Sequence, residues 1–114
     1  LIIILYIFPG SLLGCILIND CNTQPQITSD FIVLSSNHFF VFVLISLTGF
    51  LTFKKKKEIK NLIIYLLFLS VFLEITHLII PIRSFQFSDI LGNLLGVTVV
   101  IFINKFINKY EIFK

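Results

Sequence analysis

The sequence predicts an all-α integral membrane protein, a bundle of four transmembrane helices joined by short loops. Composition is the first reason. The 114 residues are 57% hydrophobic and 13% charged, and the mean hydropathy is +1.03. A soluble domain carries about a quarter charged residues. This chain has too little polar surface to cover a water-soluble globule, so lipid must cover the rest. The second reason is length: four apolar stretches approach the roughly 20 residues that a spanning helix needs. The third is the linkers, which are short, polar and in one case densely basic. There is no room for a separate soluble module, so residues 1–114 are expected to form one domain.

The first stretch, residues 1–18, is interrupted by Pro9-Gly10. The second covers residues 38–53, and Phe31-Ile32-Val33-Leu34 extends it backward. The third, residues 61–80, is the cleanest, and residues 90–107 make the fourth. Residues 19–30 between the first two carry Asp20, Pro25 and Asp30 but no lysine. Lys54-Lys55-Lys56-Lys57-Glu58-Ile59-Lys60 forms a basic turn, and residues 81–88 contain Arg83.

The formal charge of +3 comes from lysines at the ends of apolar runs. Nucleic-acid binding would need a basic face with stacking aromatics, which is absent from this pattern. Basic residues in short loops stay in the cytoplasm. That rule predicts a multi-pass protein with both termini on the cytoplasmic side of its membrane. Lys105, Lys109 and Lys114 then join the lysine turn on the cytoplasmic side, and Arg83 is the one basic residue outside.

Cys15 and Cys21 form no Cys-x-x-Cys motif. They could pair only if the intervening helix end frays, so no disulfide is expected. Leu12-Leu13-Gly14-Cys15 has the look of a lipoprotein cleavage site. No positive charge precedes it and apolar residues follow, so a retained first span is expected instead. Methionine is absent even at position 1, which leaves the natural N-terminal flank open.

Function is sought where ionisable residues interrupt apolar helices, because such groups are expensive in a membrane. Glu74 and His77 lie one turn apart on the third stretch. Glu74 falls about three residues past the middle, roughly 5 Å at 1.5 Å per residue. Asp89 and Asn93 lie one turn apart at the start of the fourth, and His38 opens the second. On the expected topology, His38, Glu74, His77, Asp89 and Asn93 converge on the extracytoplasmic side, with Arg83 in the loop above. A polar clamp between helices and a binding or catalytic site explain this convergence equally well. Asp89 also reads as a helix cap. Gly92 and Gly96 make a Gly-x-x-x-Gly pair suited to close helix packing. Glu-x-x-His, with His38 and Asp89, offers donors for a metal, but the two-motif pattern of di-metal bundles is missing, so neither metal nor cofactor is expected. Ser84 and Ser88 near His77 and Asp89 satisfy no defined catalytic motif.

These residues carry a resemblance. Asn37-His38-Phe39-Phe40 opens a helix, Glu74 ends another, Pro81-Ile82-Arg83 follows, and Asp89-Ile90-Leu91-Gly92-Asn93-Leu94-Leu95-Gly96 completes the series. In order and spacing, residues 38–104 resemble the VanZ-like family of small bacterial membrane proteins. Relatives usually have glutamine at the place of His77 and a lysine near Ser35 and Ser36. The resemblance implies a multi-pass protein of the cell envelope, in a family whose founding member is linked to resistance against the glycopeptide teicoplanin. It implies no particular reaction. The expected partners are a membrane lipid, a lipid-linked envelope precursor or another membrane protein, with Arg83 pairing with an anionic group. An enzyme using Glu74 and His77 for acid–base work, and a purely structural clamp, are the competing expectations.

Overall fold

The computed structural model describes residues 2–31 and 33–111. Leu1, Ile32 and residues 112–114, Lys114 among them, lie outside the described residues, as do the side chains of residues 109–111. Five helices follow one another: α1 (Ile2–Ile7), α2 (Leu12–Leu17), α3 (Ser36–Thr52), α4 (Lys56–Thr76) and α5 (Phe87–Glu111). No strand occurs among the described residues.

The expected first span is broken into two helices of six residues each. Pro9 has no N–H to continue the helical ladder. Gly10 adopts φ +87°, a left-handed conformation that suits glycine. Ser11 then caps α2, its Oγ accepting the Gly14 N–H at 2.9 Å. Beyond Leu17 the chain turns back through Asn19 at φ +55°. The helix end does unwind, and Cys15 and Cys21 are joined in a disulfide. This corrects the expectation of unpaired cysteines, and it occupies the sulfur that lipidation of Cys15 would need.

Among the described helices, α4 and the Phe87–Asn108 part of α5 are long and apolar enough to cross a membrane. Only 33% and 28% of their apolar windows are buried. A core helix of a soluble protein would be buried over much more of its surface. Side chains such as Leu44, Leu51, Ile64, Phe68, Phe72, Phe102 and Ile103 face outward instead. The 17 residues of α3 reach about 25 Å at 1.5 Å per residue, less than a full hydrocarbon core. Among the described residues, then, two helices have the length of a full span, α3 is shorter, and the N-terminal pair is shorter still, so a bundle of four full-length spans is not confirmed.

The parallel helices α3 and α5 pack most closely, with α4 antiparallel to both and α1 lying on α4. Gly92 and Gly96 form the α3–α5 seam. A Cβ on Gly92 would fall 2.7 Å from the Ser35 carbonyl oxygen, and one on Gly96 would fall 2.7 Å from that of Phe39. The apolar core is Phe42, Phe50, Leu62, Leu66, Leu69, Leu73, Val97 and Val100, closed by Tyr6 from α1. Helix directions put the starts of α3 and α5 and the end of α4 together, opposite the lysine turn. The Ser35 N–H donates to the Ser88 carbonyl at 3.2 Å across this end.

Candidate functional site

The stripe of α4 that faces the interior reads Leu62, Leu66, Leu69, Ser70, Leu73, Glu74, and His77 follows it at the helix C-cap. Three- and four-residue spacing keeps these residues on one face. The periodicity that buries leucine in the lower half thus buries a carboxylate and an imidazole in the upper half. Because α4 begins at Lys56 and ends at Thr76, Glu74 lies further along its helix than expected. It stands about 12 Å past the midpoint at 1.5 Å per residue.

Glu74 is completely buried, and His77 is 2% exposed. Glu74 Oε1 accepts the Gln86 backbone N–H at 2.9 Å, which ties the α4–α5 loop down. Glu74 Oε2 lies 3.1 Å from His77 Nδ1. That contact lacks hydrogen-bond alignment, so Oε2 accepts no hydrogen bond. His77 Nε2 lies 2.9 Å from the Tyr6 carbonyl oxygen. A carbonyl can only accept, so Nε2 carries a proton. Neutral His77 then presents a bare Nδ1 to the carboxylate, and the two attract only when they share a proton.

The opposite wall comes from α3 and α5. Asn93 Nδ2 donates to the Ser70 carbonyl at 2.8 Å. That bond orients the amide and points Oδ1 at Tyr6 and His38. Oδ1 accepts the Tyr6 hydroxyl at 2.9 Å and lies 3.2 Å from His38 Nδ1. Since Oδ1 only accepts, the network assigns the His38 proton to Nδ1. His38 Nε2 is left as a lone pair, 3.5 Å from Asp89 Oδ2. The Tyr6 ring packs edge-on against His38 and stacks over His77 at 6.2 Å. Tyr6 therefore joins the two halves of the cluster.

Arg83 is built into the structure differently. Its Nε donates to the Phe8 carbonyl at 3.0 Å and its Nη2 to the Leu5 carbonyl at 2.8 Å. These are carbonyls at the C-terminal end of α1, where a helix has no internal donors left and a cation is favoured. Arg83 tethers the broken N-terminal segment to the α4–α5 loop.

Beside the cluster lies a cavity of about 380 Å³. Leu5, Leu12, Leu13 and Val41 give it an apolar wall, and Gln24, Gln26, Asn37, His38 and Asp89 give it a polar one. The loop of residues 19–30 closes over it and is pinned to the start of α3. Asn37 Nδ2 donates to the Pro25 carbonyl at 2.8 Å, and Asn37 Oδ1 accepts the Ile27 N–H at 3.1 Å. Asp30 Oδ1 accepts the Ser36 N–H at 3.2 Å. Two local bonds stiffen the loop further: Thr23 Oγ1 donates to Asp20 Oδ2 at 2.5 Å and the Asn22 N–H to Oδ1 at 3.0 Å. They hold the Asp20 carboxyl below its ordinary value.

Of the residues singled out in the sequence, His38, Glu74, His77, Asp89 and Asn93 meet in one network, and Arg83, in the α4–α5 loop, is bonded instead to the carbonyls at the end of α1. Glu74 and His77 are sealed from the cavity, while His38 and Asp89 face it. Sequence reasoning missed Tyr6. Its signal was a lone tyrosine in an Ile–Leu run two residues before the Phe8-Pro9 break. It also missed Gln24, Gln26 and Asn37, whose roles depend on a loop fold that no spacing encodes.

No curated protein and no solved structure matches the chain. The family model described as VanZ/LLP1 matches residues 5–108. That match runs from the residue before Tyr6 to beyond the last buried valine of α5, and so the chain belongs to the VanZ/LLP1 family.

Proposed function

We propose that the chain is a multi-pass protein of the bacterial cytoplasmic membrane that binds a membrane lipid, or a lipid-linked precursor of the cell envelope, by its polar head. The observation that carries this reading is the cavity, where an apolar wall meets amides and a His38–Asp89 pair. Small-molecule sites combine apolar walls with a few oriented polar groups in this way. The acyl or polyprenyl part would follow Leu5, Leu12, Leu13 and Val41. The head would meet Gln24, Gln26, Asn37 and His38. Arg83 would reach an anionic head with its remaining N–H groups, since Nε and Nη2 already donate to α1.

Two independent features support the orientation. The lysine turn favours the cytoplasm. The Cys15–Cys21 disulfide lies at the other end, and disulfides persist in oxidising compartments outside the cytosol. On this reading α3, α4 and α5 cross the bilayer, and the broken α1–α2 segment replaces a full fourth span in the outer half. The C-terminus is cytoplasmic, and the N-terminal end of α1 points toward that same side.

Native mass spectrometry of the protein released from its own membranes tests the binding. A lipid or lipid-linked species should accompany the wild type and be missing from Leu13→Trp, which fills the cavity without touching the buried cluster. Retention of the same species by Leu13→Trp overturns the reading. For topology, a cysteine at Ser84 should react with an impermeant maleimide in intact cells and one at Lys57 should not, both in a background without Cys15 and Cys21.

A further inference from the structure

We infer that His38, Glu74 and Asp89 form a binding site for a single divalent transition-metal ion such as zinc. One ligand atom from each residue lies within 4.8 Å of the others. The His38 tautomer leaves Nε2 as a lone pair facing Asp89, because Nδ1 donates to Asn93 Oδ1. Glu74 is fully buried, and its Oε2 accepts no hydrogen bond. Three acceptors therefore converge, and the group nearest Glu74 Oε2, His77 Nδ1 at 3.1 Å, carries no proton while His77 is neutral with its proton on Nε2. A 2+ ion is the matching charge for two carboxylates and a neutral imidazole.

The donor set suits zinc, iron or manganese, which take imidazole nitrogen and carboxylate oxygen together. Metal–ligand bonds of about 2.0–2.2 Å put tetrahedral ligands roughly 3.4 Å apart, so the cluster needs to contract by about 1 Å. The surroundings fit such a site. A metal-bound histidine characteristically donates its second N–H to an outer partner, and ligating carboxylates are hydrogen-bonded in turn. Asn93 supplies the first contact and the Gln86 N–H supplies the second. His38 and Asp89 also line the cavity, so a bound ion would keep a coordination position open to whatever enters it. The site stands on these donors and does not depend on which molecule fills the cavity.

Zinc binding to the tag-free, full-length protein, stripped with chelator in detergent and then dialysed against zinc chloride, tests this. Metal analysis should find one zinc per chain in the wild type and a loss of binding in His38→Ala and in Asp89→Asn. Asn93→Ala should weaken binding about 10–100-fold, as loss of an outer partner does. His77→Gln should bind zinc normally, and added zinc should raise the unfolding temperature of the wild type but not of Asp89→Asn. Absence of stoichiometric zinc, iron or manganese in the wild type overturns the inference, and that measurement does not require any variant to fold. So does zinc retained by His38→Ala but lost from His77→Gln, which would put the ion on the Glu74–His77 pair instead.

Discussion

The two ends of α4 treat charge in opposite ways. At its start, Lys55 pairs with Glu58 at 3.7 Å while 84% and 41% of these side chains remain exposed. At its finish, Glu74 and His77 meet at 3.1 Å with 0% and 2% exposed. Water or lipid headgroups solvate the first pair, so its net worth is small. The second pair has no such solvent, and each member depends on protein groups for its remaining contacts. Charge thus labels a side of the membrane at one end and builds a three-dimensional site at the other.

Removing one member from each end sharpens this contrast. Glu74→Ala strands the Gln86 N–H and leaves a cavity beside His77, and it should cost about 2–5 kcal/mol, the range for a large-to-small change at a fully buried, hydrogen-bonded position. Thermal unfolding in detergent would read this as a large drop or as loss of folded protein. A near-normal unfolding temperature would mean that the upper cluster is as weakly coupled as the lysine turn. Gly96→Val comes next. Its new side chain starts 2.7 Å from the Phe39 carbonyl oxygen, so roughly 1–3 kcal/mol is expected from overpacking. The loss should appear without any change in the reactivity of the lysine turn. Arg83→Gln should cost about 1–2 kcal/mol, in line with lost charge-assisted hydrogen bonds. Its effect should be local, read as faster proteolysis or hydrogen exchange in α1 while α4 and α5 stay protected. Lys55→Ala should fall below about 0.5 kcal/mol in the same assay. A penalty there equal to that of Arg83→Gln would erase the distinction between the ends.

The helical class, the apolar stretches of α4 and α5 and the asymmetry of the lysines were legible along the chain. Each depends on composition or on short-range spacing. The candidate residues were legible for a related reason: Glu74, His77 and Asn93 stand out because ionisable and amide groups are costly among Ile, Leu and Phe. The first helix was misread because Pro9 and Gly10 were weighed as an interruption within a span rather than as its end. The lack of a proline N–H and a left-handed glycine decide that point. The disulfide was missed for the same reason, since it needs the turn at Asn19 that follows an early end to α2.

By itself the sequence determined that the chain is helical, that its surface is greasy and that its lysines gather at one end. These follow from residue chemistry and a helical period of 3.6. Tertiary structure alone decided that Tyr6 bridges His38, Asn93 and His77, that Arg83 spends its donors on α1, and that a cavity opens beside Asp89. Those relations join residues far apart in the chain through hydrogen bonds of fixed direction. Direction exists only once the helices have docked.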